Sequence, residues 1–295
     1  AAPRAPPGPR APGFACDPRS EEARELLGAA GVTDPAAQER LAALTELVVE
    51  WNGRINLVSR ADCDPSTVFG RHVLPSLALL NLPAVRDASR VVDVGTGGGF
   101  PGLPLAACLP AAEFTLVDSV GKKLAAVAAV AEELGLENVA THHGRAEEME
   151  FLPAPGGGRG AHRKGYDLCL GRSVAALPKF CFWVRHLLGT DGRLVYIIGG
   201  DVGDEVAAAA EAETAIQELL RAGDGDGDGR ALSDKRALTF GAEAVRALAR
   251  TSGEVARPPP KRGAKKKNSN KKGTPRREEG GRKEKSERVV GRWED

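Results

Sequence analysis

Residues 91–102 read Val-Val-Asp-Val-Gly-Thr-Gly-Gly-Gly-Phe-Pro-Gly, and no other stretch restricts the fold as strongly. A short β-branched apolar run, 90–94, passes straight into glycines. That is the pattern of a buried parallel strand ending in a tight turn. Glycine suits such a turn because it accepts positive φ and lets a ligand come close to the backbone. A second run, Phe-Thr-Leu-Val-Asp at 114–118, ends in a carboxylate 25 residues beyond Asp93. In a doubly wound sheet, an acid ending the second strand faces the glycine turn and can bind the hydroxyls of a ribose. The pattern predicts a nucleoside-containing cofactor at the C-terminal edge of a parallel sheet.

Two cofactors fit that description. Gly97, Gly99 and Gly102 keep the G-x-G-x-x-G spacing of a dinucleotide site, with Asp118 further along as NAD requires. Asp93, Gly95, Gly97 and Gly99 keep the spacing of the S-adenosylmethionine (SAM) turn of class I methyltransferases equally well. Spacing alone leaves both open.

At 295 residues, 42% of them hydrophobic, the chain has room for one α/β domain with extensions. No apolar run approaches the roughly 20 residues of a membrane helix. Cys16, Cys63, Cys108, Cys169 and Cys181 include no C-x-x-C pair, so they read as reduced, buried thiols and not as a zinc site. No metal is expected. The net charge of +1 conceals a division. From Arg257 onward there are 15 Lys and Arg against 6 acids, and before it 26 against 34. An acidic body with a basic tail points to a polyanionic partner.

Along the chain, 1–19 is Arg-rich and acid-poor, with too little apolar surface to fold. It reads as disordered or as the remnant of a transit peptide, which would put the protein in a chloroplast stroma or other organelle matrix and otherwise in the cytoplasm. Residues 20–88 form a helical subdomain. Ser20 caps one helix and Asp34-Pro35 opens a second, which carries Leu41, Leu44, Leu47, Val48 and Trp51 on one face. A third spans 67–80, with Arg71 and His72 in it and Pro75 bending it. Residues 89–222 alternate strand and helix as a parallel sheet requires, with further strands at 138–143, 166–170 and 193–198 and helices at 121–134 and 178–188. Residues 153–164 are a Gly-rich insertion and 206–220 an Ala/Glu helix. Asp and Gly alternate over 224–229 without the Glu that closes a calcium loop, so an acidic linker is expected. Residues 223–256 form a divergent C-terminal part in which 231–250 reads as helix or loop. Residues 257–295 are a basic, disordered tail.

Several segments, in order, resemble the bacterial and plastid small-subunit ribosomal RNA methyltransferase G family, historically called glucose-inhibited division protein B. They are Trp51-Asn52 with Asn56-Leu57; Arg71-His72; Asp93 through Phe100-Pro-Gly102; Leu116-Val-Asp-Ser119 with Gly121-Lys-Lys123; Leu136-Glu-Asn138; Gly144-Arg-Ala-Glu147; and Arg172. The resemblance spans roughly 36–201. It implies a class I SAM-dependent fold, a Rossmann-like doubly wound and mostly parallel sheet, acting as a monomer on small-subunit rRNA or the ribosomal subunit.

The implied reaction is methylation of guanine N7. Gly95 and Phe100 would line the methionine and sulfonium part of SAM, Asp118 would hold its ribose, and Ala146 and Glu147 would flank its adenine. Thr96, Gly97, Gly99 and Ser119 complete the implied cofactor-binding set. Arg172 would stand at the cofactor and target-base side and is the one candidate catalytic residue. Arg71, His72, Lys122, Lys123 and Arg145 are candidate RNA contacts. Guanine N7 carries a free lone pair, so no general base is required and alignment dominates. The Gly171-Arg172-Ser173-Val174 sequence lacks the Pro-Pro-aromatic run usual in enzymes that methylate exocyclic amines. Cys169, inside a strand, does not suit the nucleophile that pyrimidine C5 methylation needs. The family would also lead one to expect a lysine at position 198, where Ile198 stands, and two further sheet strands. Those departures motivate a catalytically inactive rRNA-binding assembly factor as an alternative, beside the NAD-dependent oxidoreductase.

Overall fold

The computed structural model describes residues 14–151, 165–200, 203–220 and 235–254. The Arg-rich leader through residue 13, the Gly-rich insertion at 153–164, the Asp-Gly alternation at 224–229 and the tail from Arg257 lie outside the described residues. All the described residues belong to one unit, 1–259.

Alternation along the strands builds two cores. In β1 (Arg90–Val94), Val91 faces one core while Val92 and Val94 face the other. In β4 (Tyr166–Arg172), Leu168 and Leu170 oppose Cys169. In β5 (Leu188–Gly199), Val195 and Ile197 oppose Leu194 and Tyr196. Side chains alternate with period two, so a strand that is apolar at every position must be covered on both faces. With β2 (Glu113–Asp118), β3 (Val139–His143), β6 (Ala212–Ala215) and β7 (Lys235–Gly241) these strands make one sheet in the order 3-2-1-4-5-7-6. The neighbours from β3 through β5 pair in parallel. β7 runs antiparallel to β5 and to β6. Strand order reverses between β1 and β4, so the crevice for a ligand opens at their C-terminal ends.

The helices before β1 share a core with the sheet. Ser20 caps α1 (Glu21–Ala29), accepting from the Ala23 amide. Asp34 caps α2 (Pro35–Asn52). The expected third helix is composite: α3 (Pro65–Val68), a π turn over Phe69–Val73, α4 (Leu74–Leu77) and a 3₁₀ turn over Ala78–Asn81. Pro75 cannot donate a backbone hydrogen bond, and the Leu74 amide reaches five residues back to Phe69 O. π turns of this kind concentrate at functional sites, and this one carries Arg71 and His72. The short α5 (Pro83–Arg86) leads into β1. α6 (Gly102–Cys108) and α7 (Gly121–Glu133) follow β1 and β2. α8 (Leu177–Val184) follows β4.

Several expectations fail here. Residues 206–220 are not one helix: α9 (Asp204–Ala209) and α10 (Ile216–Leu219) flank β6. Residues 235–241 are a strand, followed by α11 (Ala242–Thr251). Alanine favours helix locally, yet β7 sends Ala237 to one core and Leu238 and Phe240 to the other, and cross-strand pairing overrides the propensity. The two strands thought missing are therefore present. α8 ends at Val184 and Leu188 already pairs with Tyr166, so the helix expected through 188 is shorter. The segment 14–19 is not without a core: Phe14 and Cys16 are buried and the Cys16 amide donates to Ser66 O. Cys63, expected inside, is exposed. Among the described residues no helix is long and apolar enough to cross a membrane.

Candidate functional site

The turn after β1 is held by its own strand neighbours. The amides of Gly95 and Thr96 both donate to Val117 O, at 2.8 and 3.1 Å, carrying the β1–β2 pairing into the loop. Gly95 has φ of +75°, and a Cβ there would sit 2.7 Å from a Val174 methyl. Asp93, wholly buried, organises the loop from beneath. Its Oδ2 accepts from Thr96 Oγ1 at 2.7 Å and from the Gly102 amide at 3.0 Å. Burial raises the Asp93 carboxyl to about 6. Its Oδ1 has no hydrogen-bond partner among the described residues.

Asp118 closes the opposite side. Its Oδ2 accepts from the Gly97 amide at 2.9 Å and its Oδ1 from the Val120 amide at 2.8 Å. The carboxylate thus faces the glycine turn. Both line a cavity of about 280 Å³ that reaches Ser119, Arg145, Ala146, Glu147, Arg172 and Ser173. The sequence reading missed Val174 and Trp183, which also line it. Ser173 has φ of +51°, the one left-handed non-glycine residue among the described residues. Such strain, of order 1–3 kcal/mol, concentrates at functional sites. Its neighbours are set by Tyr196, whose hydroxyl accepts from the Val174 and Ala175 amides at 2.8 and 3.1 Å and donates to Ala175 O at 2.8 Å.

A second cavity, about 420 Å³, lies on the other side of the turn. Gly95, Gly97, Lys123 and Arg172 border both cavities. Phe100, expected beside the cofactor, lines only the second; Gly99 lines neither, and a Cβ on it would strike Leu103. Thr96 spends its hydroxyl on Asp93. The far wall is residues 56–59, shaped by Asn52, whose Oδ1 accepts from the Leu57 and Val58 amides at 2.7 and 3.0 Å.

Arg71 and His72 are both engaged by Asp62, a buried acid the sequence reading did not single out. Arg71 pairs with Asp62 Oδ1, and His72 Nε2 lies 3.0 Å from Oδ2. His72 Nδ1 meets Arg172 Nη2. A guanidinium only donates, so Nδ1 accepts and Nε2 carries the proton toward Asp62. Burial, reinforced by the Arg172 charge, lowers His72 to about 3, so it is neutral and its contact with Asp62 is a hydrogen bond, not an ion pair. Arg172, lowered by burial to about 10, keeps its charge. Its Nη1 is shut off from solvent with no hydrogen-bond partner among the described residues, and its guanidinium lies 5.7 Å from the Phe100 ring. Nothing in the sequence spacing marks Asp62; only the fold brings it to the π turn. Lys122 is exposed, and Lys123 faces the cavities. No group of three or more His, Cys, Asp or Glu among the described residues could hold a metal ion.

The glycine cradle, which a Cβ at Gly95 would fill, and the facing Asp118 suit a nucleoside cofactor with ribose hydroxyls at the acid. The family described as rRNA small subunit methyltransferase G matches residues 37–222. A protein named ribosomal RNA small subunit methyltransferase G from Christiangramia forsetii is 40% identical over 169 residues, covering 55% of this chain and 73% of its own. Proteins of the same name from Chlorobaculum tepidum and Cytophaga hutchinsonii are 40% and 35% identical, covering 55% and 58% of this chain and 69% and 79% of their own. On these matches and on the site they span, the chain belongs to the rRNA small subunit methyltransferase G family.

Proposed function

We infer that this chain transfers a methyl group from SAM to N7 of a guanine in small-subunit ribosomal RNA. The observation that carries the reading is the Asp118 carboxylate bonded to the Gly97 amide of the turn, with both lining one cavity, in a chain of this family. SAM would bind with its ribose hydroxyls on Asp118, its adenine beside Ala146 and Glu147, and its sulfonium end toward Gly95 and Arg172. When bound, it supplies an electrophilic methyl group on sulfur.

The protein's part is alignment. N7 has no proton to lose, so no side chain has to act as a base. His72, the one imidazole among the described residues bordering the second cavity, is held at both nitrogens. Holding nucleophile and methyl in line lowers the barrier by up to about 7–11 kcal/mol. Buried walls that exclude water strengthen the Arg172 field at the seam between the cavities. Lys122 on the first turn of α7 and Arg145 at the cavity mouth are available to rRNA phosphates, a contribution that weakens with salt. The inactive-factor alternative loses one of its two motives with the presence of β6 and β7; Ile198 remains.

Methylation with labelled SAM, mapped as N7-methylguanine on small-subunit rRNA, tests the reading. Calorimetry with SAM and NAD accompanies it. Asp118→Ala is expected to weaken SAM by about 1.5–3 kcal/mol, the strength of a hydrogen bond to a charged group. Binding of NAD without SAM refutes it, and unchanged SAM affinity in Asp118→Ala refutes the placement of the ribose on that carboxylate.

A further inference from the structure

The second cavity has a composition unlike the first. The first holds the acid suited to ribose. The second is walled by the Phe100 and His72 rings, whose centroids lie 5.2 Å apart, and by the backbone of 56–59. The two meet at Gly95, Gly97, Lys123 and Arg172. A methyl group donated from the first cavity has to cross that seam. Whatever accepts it enters from the second.

A planar base drawn out of an RNA strand fits this description, since bases stack on aromatic faces. The identity of the base follows from Arg172. One Nη is committed to His72, which Asp62 in turn holds in a single tautomer. The other Nη is shut off from solvent and has no acceptor among the described residues. A donor in that state gains fully from a new acceptor, because its desolvation has been met in folding, and it rejects another donor for the same reason. At the N7 edge of guanine the adjacent group is the carbonyl O6, an acceptor. At the N7 edge of adenine it is an amino group, a donor.

We propose that the second cavity receives the acceptor base and that Arg172, oriented by His72 and Asp62, donates to its O6 and so selects guanine over adenine. This rests on the methyltransferase reading above and adds to it the residue that sets base identity. Arg172 leaves N7 itself open, because a hydrogen bond to N7 would occupy the lone pair that attacks the methyl group. His72 and Asp62 are positioning residues: they act on the base only through the guanidinium.

The experiment uses the full chain, labelled SAM, and small subunits reconstituted with ligated rRNA carrying guanine, hypoxanthine or 2-aminopurine at the methylated position. Hypoxanthine keeps O6 and N7; 2-aminopurine keeps N7 and lacks O6. The parent is expected to methylate hypoxanthine nearly as fast as guanine and 2-aminopurine roughly tenfold to a hundredfold more slowly. Arg172→Met is expected to slow guanine more than 2-aminopurine, so that the discrimination between the two bases collapses. A ratio of rates on two bases is independent of how much enzyme is folded. His72→Gln, which keeps the guanidinium but loosens its mooring, is expected to give an intermediate ratio and supplies that ratio if Arg172→Met is inactive throughout. Equal rates on guanine and 2-aminopurine in the parent overturn the proposal, as does a ratio unchanged in both variants. A parent that binds SAM yet methylates no guanine overturns the methyltransferase reading itself.

Discussion

Asp93→Asn separates charge from shape beneath the glycine turn. The carboxyl is fully buried; Oδ2 serves two donors and Oδ1 none. Asparagine keeps an oxygen for Thr96 Oγ1 and the Gly102 amide and removes the charge. Burial lifts Asp93 from 3.8 to about 6 despite those hydrogen bonds and the Arg172 charge. A shift of that size corresponds to about 3 kcal/mol of linkage. Its sign follows from which state holds the proton more tightly. The folded state does, so the stability contributed by protonated Asp93 is complete below its unfolded value and lost as pH rises through about 6. Between about pH 4 and pH 7.5 the parent should therefore lose about 2.5 kcal/mol relative to Asp93→Asn. His72 titrates in the opposite sense: its folded value is depressed, so its contribution is present above its unfolded value and lost as pH falls toward about 3. It is common to both proteins and cancels in the difference. The assay is urea unfolding of parent and variant across that range, compared at each pH. A difference that stays flat refutes the reasoning, because it means that the buried carboxylate ionises as freely as an exposed one.

Four further outcomes are expected. Gly95→Ala meets Val174 methyls at 2.7 and 2.8 Å with φ at +75°, so calorimetry should show SAM binding weakened by roughly tenfold or more. Gly97→Ala has no contact nearer than Gly95 O at 3.9 Å, so its unfolding free energy should fall by no more than the left-handed backbone cost of about 1–2 kcal/mol. Tyr196→Phe removes the hydroxyl that holds the Val174 and Ala175 amides, and should cost roughly 1–3 kcal/mol in chemical denaturation together with SAM affinity. Asn138→Ala frees the carbonyls of Ala106, Leu109 and Ala112 at the end of α6, and should cost a similar 1–3 kcal/mol while calorimetry finds SAM affinity unchanged.

Residues 90–118 disclosed the strand, the turn, the second strand and its acid, because a parallel strand, glycine freedom and a ribose-binding carboxylate are local requirements written at fixed spacing. They did not disclose which glycine matters sterically. Gly95 and Gly97 look alike in sequence, yet only Gly95 lies against Val174, which arrives from the end of β4. The helix caps at Ser20 and Asp34 were equally legible, since each cap bonds within three residues. β6 and β7 were not: their alanines favour helix alone, and they become strands because β5 offers an unpaired edge. Asp62 lies ten residues from His72 and Arg172 a hundred, and no spacing rule joins them. Local chemistry in the chain determined the glycine turn and its facing acid, whereas the wall of the second cavity exists only because the π turn and the end of β4 are folded against each other.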